Sequence, residues 1–297
     1  VYFISNSRRT KIKYNYLNNK DILKEIHRSK NSYCSYISPE CADYDVIIYS
    51  LDNINEATIL QAKENRSNRL AKLAYEKAAD TGEKRRVDDF AIGAENIPTT
   101  SLVFRLMTWD HVPVVEPKLA EVDDDDDIKT TEYELDIEIP VSKPPTNVKY
   151  VKCNFPPFQH FKLDEQNNPY CVGKSHWRGD LTTGHWSKDH GAMTKTLATM
   201  FIKLCERYAT RANWRNYTYN DEMRSQALLQ LSQIGLQFDE GKSQNPFAYY
   251  TATISNSFIR VLNIEKRNQN LRDDILEMNN LSPSYTRQNE GYSSHDD

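Results

Sequence analysis

No stretch of this 297-residue chain carries the roughly 20 consecutive apolar residues that a membrane-spanning helix needs. VYFIS at the N-terminus is too short for a signal-peptide core and polar residues follow it at once. The expectation is a soluble protein that stays in the compartment where it is made. Paired cysteines are lacking too. The five cysteines (Cys34, Cys41, Cys153, Cys171, Cys205) are odd in number, scattered, and without a CxxC pair. That favours free thiols in a reducing cytoplasm over a disulfide framework. There is no Gly-rich phosphate loop, no HExxH and no nucleophile elbow, and GKSHWRGD lacks the spaced preceding glycine of a P-loop. No catalytic residue is assigned, and the expectation is a protein that is not an enzyme.

Ligand chemistry is present without ligand spacing. Cys153, His160, Cys171 and His176, with His185 and His190 nearby, are the candidates for a metal. Zinc sites favour paired ligands two to four residues apart, and these spacings do not fit. A buried cysteine and surface histidines are the expectation, with no metal and no cofactor.

Basic residues are not in excess, with a net charge of −4, but the charge is unevenly placed. Residues 1–30 hold 8 basic and 2 acidic side chains, and residues 190–287 hold 12 and 9. Residues 31–189 hold 18 and 28, including DDDDD at 123–127. Two mildly basic segments flank an acidic middle, a pattern the average conceals. With 38% hydrophobic residues and a mean hydropathy of −0.75, part of the chain contributes little to any core.

Periodicity places a short helix over 14–30, capped by Asn18 or Asn19, with Ile22, Leu23 and Ile26 on one face. A stronger helix covers 54–80, with a partial stripe of Ala57, Leu60, Leu70, Leu73 and Ala74 and Gly82 as its stop. Six prolines interrupt 83–150, where YELDIEI alternates as a strand would, and 116–147 reads as a flexible acidic linker. Residues 151–190, rich in aromatics, His and Gly, read as an irregular compact segment. Four helices are expected after it. Met193, Leu197, Met200, Phe201, Leu204 and Tyr208 mark the first; Met223, Ala227, Leu228, Leu231 and Ile234 mark the second. Asn245–Pro246 opens the third, which runs to about Lys266. Residues 271–281 form the fourth.

The third helix carries the most information. Phe247, Tyr250, Ile254, Phe258 and Val261 share a face suited to a core. The opposite face holds Tyr249, Thr253, Asn256, Arg260, Asn263 and Arg267, aromatic at its start, amide- and hydroxyl-bearing in the middle, cationic at its end. These are the groups that hold unstacked bases and their phosphates. A core edge with a solvated cationic face would use the same residues.

The succession NYTYNDEMRSQALLQLSQIGLQFDE…NPFAYYTATISNSFIRVLNIEKR resembles region 2 of bacterial sigma factors. It is closer still to the late-transcription sigma factors of T-even-type tailed phages, cyanophage members included. YNYLNNKDILKEI resembles the N-terminal helix of that family. The likeness covers 12–30 and about 190–285.

It implies a mainly α fold: a sigma-region-2-like helical bundle with a large, partly irregular insertion between the N-terminal helix and the bundle. The segments would be 1–30, 31–115, 116–150, 151–190, 191–285 and a polar tail at 286–297. It implies a factor that binds bacterial core RNA polymerase and recognises and melts a TATA-like −10 element of promoter DNA, in the cytoplasm of an infected host. The polymerase contact would fall on Glu222, Gln226 and Gln230. DNA contact would fall on Phe247, Tyr249, Tyr250, Thr253, Asn256 and Arg260, with Lys266 and Arg267.

Further partners the family implies are the sliding clamp and a late co-activator. Two departures stand out. Ala252 and Thr253 occupy the place of the housekeeping factors' tryptophan pair, so base capture would rest on Phe247, Tyr249 and Tyr250. The tail TRQNEGYSSHDD has acids but a single aromatic and no aliphatic pair of the kind a clamp-binding peptide uses. The alternative is a polymerase-binding adaptor or anti-sigma protein that uses the acidic middle as a DNA mimic.

Overall fold

The computed structural model describes residues 18–81, 86–115 and 149–288. The expected acidic linker, Gly82, YELDIEI and most of the polar tail lie outside them. The chain divides into two compact units. A helical unit takes residues up to 25, 194–238 and from 244 on; a sheet unit takes 26–193 together with 239–243.

In the sheet unit, β1 (Cys34–Tyr36), β2 (Val46–Ile48), β3 (Phe104–Met107), β4 (Phe158–Leu163) and β5 (Pro169–Ser175) form one sheet in the order β1-β5-β4-β3-β2. β2 and β3 run parallel and the other neighbours antiparallel. A parallel pair needs a crossover, and α2 (Glu56–Asp80) lies between its two strands in sequence. Asn55 caps α2 by accepting the Thr58 N–H at 2.9 Å. The β4–β5 turn is closed by Asp164, whose carboxylate accepts the N–H groups of Gln166 and Asn168. A two-stranded ribbon follows, β6 (Trp177–Arg178) and β7 (His185–Trp186).

Strand alternation sends Phe104, Leu106 and Leu163 to one side of the sheet. There they join Val46, Ile48, Ala62, Ile97 and Leu102 in a core, with Ile54, Ile59 and Phe161 at its margin. The other side receives Arg105, His160 and Phe158. Gly173 stands opposite both His160 and Tyr36, and a Cβ there would lie 2.3 Å from the Tyr36 ring.

Three expectations are corrected here. Residues 151–190 are not irregular: they supply two strands of the sheet and the ribbon, and residues 31–115 pair with them. The architecture is therefore mixed, helical in one unit and α/β in the other, and not a helical bundle alone. The α2 stripe was also misplaced. Leu60 and Leu73 are exposed, and Ala62, Ser67 and Ala71 are buried, because small residues let the helix lie close to the sheet.

The helical unit contains the first turns of α1 (Asn19–Asn31), then α3 (Lys195–Ala209), α4 (Asn220–Ile234) and α5 (Pro246–Met278). Asn18 accepts from the Lys20 N–H at 3.2 Å at the start of α1. Thr194 caps α3 by accepting the Leu197 N–H at 3.2 Å. Asn245 caps α5 by accepting the Ala248 N–H, with Pro246 at the first position as its fixed φ allows. The core joins Ile22, Leu197, Met200, Phe201, Leu204, Met223, Ala227, Leu231, Tyr250, Ile254 and Phe258, all nearly fully buried.

The two helices expected at 246–266 and 271–281 are one helix of 33 residues, about 50 Å long. Asn268, Gln269 and Asn270 are indifferent helix formers, yet none removes a hydrogen bond as proline would. The stop comes at Asn280, which takes φ 58°. Leu281 N–H reaches the Leu276 carbonyl and Asn280 N–H the Glu277 carbonyl, the paired bonds of a Schellman ending. Beyond it the chain folds back: the buried Asp273 carboxylate accepts both N–H (2.8 Å) and O–H (2.7 Å) of Ser284.

Candidate nucleic-acid interface

The α4–turn–α5 sequence positions the predicted residues. On α4, Met223, Ala227 and Leu231 point into the core, which leaves Glu222 exposed and Gln226 and Gln230 half-buried on the other side. Leu229 stands exposed among them. The face is polar and amide-rich around one aliphatic side chain.

On α5 the structure separates the predicted DNA residues into two groups. Asn256 and Arg260 are half-buried, and Lys266, Arg267 and Asn263 are exposed, so the cationic end of the face is open to solvent. The aromatic end is not. Tyr250 is fully buried, donates its O–H to the Gly235 carbonyl at 2.6 Å, and meets Phe201 edge-on at 4.8 Å. Thr253 is 3% exposed and gives its hydroxyl to the Tyr249 carbonyl.

Tyr249 is half-buried between Phe238 at 5.5 Å and Tyr250 at 5.3 Å, and burial pushes its phenol up to about 12. Phe247 is half-buried, its N–H held by the Asn19 side chain at 3.1 Å. The expectation that Tyr249 and Thr253 share an open face, and that Tyr250 captures a base, is therefore corrected: Thr253 and Tyr250 are buried. Helix geometry decides it: Thr253 lies only about 60° around the helix from Tyr250, close enough for the core to cover it.

The candidate metal residues are not assembled. His160 is wholly buried in a hydrogen-bonded network, while Cys153 and Cys171 turn to the carbonyls of Val151 and Gly173. Among the described residues no group of three or more His, Cys, Asp or Glu is arranged to hold a metal ion.

Sequence reasoning missed a buried charge cluster in the sheet unit. Arg105 is 1% exposed, its guanidinium lying between the rings of Tyr44 (3.8 Å) and Phe158 (3.9 Å). Its Nε donates to His160 Nε2 at 3.0 Å, which leaves His160 Nδ1–H to donate to the Cys41 carbonyl. Its Nη2 approaches His27 Nδ1 at 3.4 Å, and His27 Nε2 faces Asp43 at 3.3 Å. Lys30 Nζ meets Glu240 Oε2 at 2.8 Å, with Arg105 Nη1 3.9 Å from the same oxygen.

Burial alone would raise the Glu240 carboxyl, but Lys30 and Arg105 outweigh it and hold it below its ordinary value. Burial, with Arg105 alongside, keeps His160 neutral. The only available signal was Arg105 itself, a charge inside the apolar run LVFRLM.

A second polar group lies where the chain leaves β5. His176 is fully buried and takes φ 51°. Burial lowers it to about 3, with the charges of His111 and His190 acting in the same direction. Burial lowers His111 to about 4 against an opposing bond to the Ser175 carbonyl. Both are neutral when folded, and both take a proton when unfolded below about pH 6.5. The unfolded state then binds more protons, so stability falls as pH drops from about 6.5 toward 4. The expected loss is roughly 1 kcal/mol for each histidine at pH 5.5. Thermal melts between pH 7.5 and 4.5 check this; a melting temperature unchanged from pH 7 to 5.5 would show that these rings are not neutral in the fold.

No helix among the described residues is long and apolar enough to cross a membrane. No family model, curated protein or solved structure matches this chain.

Proposed function

We propose that the helical unit is a sigma-type transcription-initiation factor. It binds bacterial core RNA polymerase through the α4 face around Glu222, Gln226 and Gln230, and engages a −10-like promoter element through α5. The observation that supports this most is the pairing of two unlike faces on successive helices. One is acidic and amide-rich around an exposed Leu229; the other is cationic at Arg260, Lys266 and Arg267. In this reading duplex and phosphate contact belongs to the open cationic end. Base contact by Tyr249 requires the ring to leave Phe238 when the strand arrives.

The test is transcription with purified core polymerase on a supercoiled late-promoter template. Glu222→Lys with Gln226→Lys is expected to lower core affinity at least tenfold while leaving the melting temperature within a degree or two, since both residues lie outside the core. Unchanged core binding would remove α4 as the docking face. Inhibition by the wild-type protein, without initiation, would favour the adaptor reading.

A further inference from the structure

The end of α3 and the turn that leads from it to α4 have no role in the proposal above, yet together they are the most cationic aromatic segment of the helical unit. Residues 207–219, RYATRANWRNYTY, hold three arginines, four aromatic rings and no acid. Arg207, Arg211 and Arg215 recur every four residues. The chain stays coiled as it leaves α3, with Trp214 N–H and Arg215 N–H both bonded to the Arg211 carbonyl. Asn220 fixes the return by donating to the carbonyls of Ala209 (3.1 Å) and Trp214 (2.8 Å).

All three arginines are exposed, and among the described residues none lies within ion-pair distance of a carboxylate. Arg211 sits over the Tyr208 ring at 4.1 Å. The rings form a chain. Trp214 is stacked at 6.5 Å from Tyr208 and edge-on to Phe258 of α5, Tyr217 is 6.1 Å beyond it, and Tyr219 is 5.2 Å further.

Trp214 is explained by packing. Tyr217 and Tyr219 remain half-exposed at the far end of the ring chain, in a stretch whose three arginines and whose Asn213 and Asn216 amides are exposed. Cations spaced along a hydrogen-bonded turn match phosphates, and half-open rings match unpaired bases, whose faces a duplex keeps closed. An acidic protein would also answer the arginines, but a single strand answers both the cations and the ring faces with one repeating unit. We infer that the Arg207–Tyr219 segment, the last turn of α3 and the turn beyond it, is a second nucleic-acid contact, for single-stranded DNA. It rests on the reading of this unit as a DNA-binding one.

The probe is a fluorescein-labelled oligothymidylate of about 20 nucleotides, with a duplex of equal length for comparison, read by anisotropy across a salt series. Arg207→Gln/Arg211→Gln/Arg215→Gln is expected to lower single-strand affinity tenfold or more and to flatten the log K against log salt slope by about 2. The corresponding triple lysine variant should keep the slope. Tyr217→Ala and Tyr219→Ala should each lower single-strand affinity about 5- to 100-fold and leave duplex affinity unchanged.

Wild-type-like affinity and slope in the glutamine variant would overturn the inference, as would tyrosine variants that alter both probes equally or neither. Strand binding through this loop without promoter initiation would sink the sigma reading alone. Initiation with no loop effect on either probe would sink the loop alone.

Discussion

Tyr250→Ala is expected to cost the helical unit about 3–5 kcal/mol, the range for deleting a buried aromatic from a packed site. The ring is fully enclosed, its edge against Phe201, and its hydroxyl satisfies the Gly235 carbonyl where α4 ends. Truncation opens a cavity and leaves that carbonyl without its buried donor. Tyr250→Phe keeps the ring and loses only the bond, so about 1 kcal/mol is expected from it.

The neighbour behaves differently. Tyr249 is half-buried against Phe238, so Tyr249→Ala should cost less in folding; under the proposed function it should cost more in promoter opening, and Tyr249→Phe should be nearly silent in both. Urea melts and open-complex lifetimes on intact and pre-melted promoter DNA separate the two. If Tyr249→Ala and Tyr250→Ala lose equal stability and neither alters opening selectively, this end of α5 is core only.

Glu240→Gln should destabilise the sheet unit by about 3–5 kcal/mol, because it removes the carboxylate that faces the buried Lys30 and Arg105 cations. Lys30→Met alone should cost somewhat less, since Arg105 still faces the carboxylate. The informative measurement is the cycle. Lys30→Met combined with Glu240→Gln should be less harmful than the sum of the single changes, as an uncompensated charge is the main penalty.

The pH dependence has a definite sign. The Glu240 carboxyl is held below its ordinary value in the fold, so its contribution is present above about pH 4.5 and is lost as pH falls through the folded value. Additive single and double effects, measured by denaturant unfolding at pH 7, would show that the pair does not act as a unit.

Local chemistry made the helical unit legible from sequence. Asn245 and Pro246 start α5 by satisfying or omitting the first N–H groups, and Thr194 does the same for α3. The 3–4 spacing of Leu197, Phe201 and Leu204, and of Tyr250, Ile254 and Phe258, then assigned the buried faces without any tertiary information. Spacing could not say where the core's edge falls, and Thr253 is hidden for that reason. It also could not join 246–266 to 271–281, because the real stop is the left-handed Asn280, a choice made by the carbonyls of Leu276 and Glu277.

In the sheet unit the α2 helix was legible, but the strands lay beyond sequence reasoning for a different reason. β1 and β2 are three residues each, too short to show a period, and β1 gains its partner only from β5, well over a hundred residues later. Arg105 and His160 became neighbours through strand register, and Glu240 met Lys30 across a separation of 210 residues. Composition and caps determined which segments coil and which faces are apolar. Which charges are buried together was decided only by long-range pairing, since a buried ion is tolerable only where the fold supplies its partner.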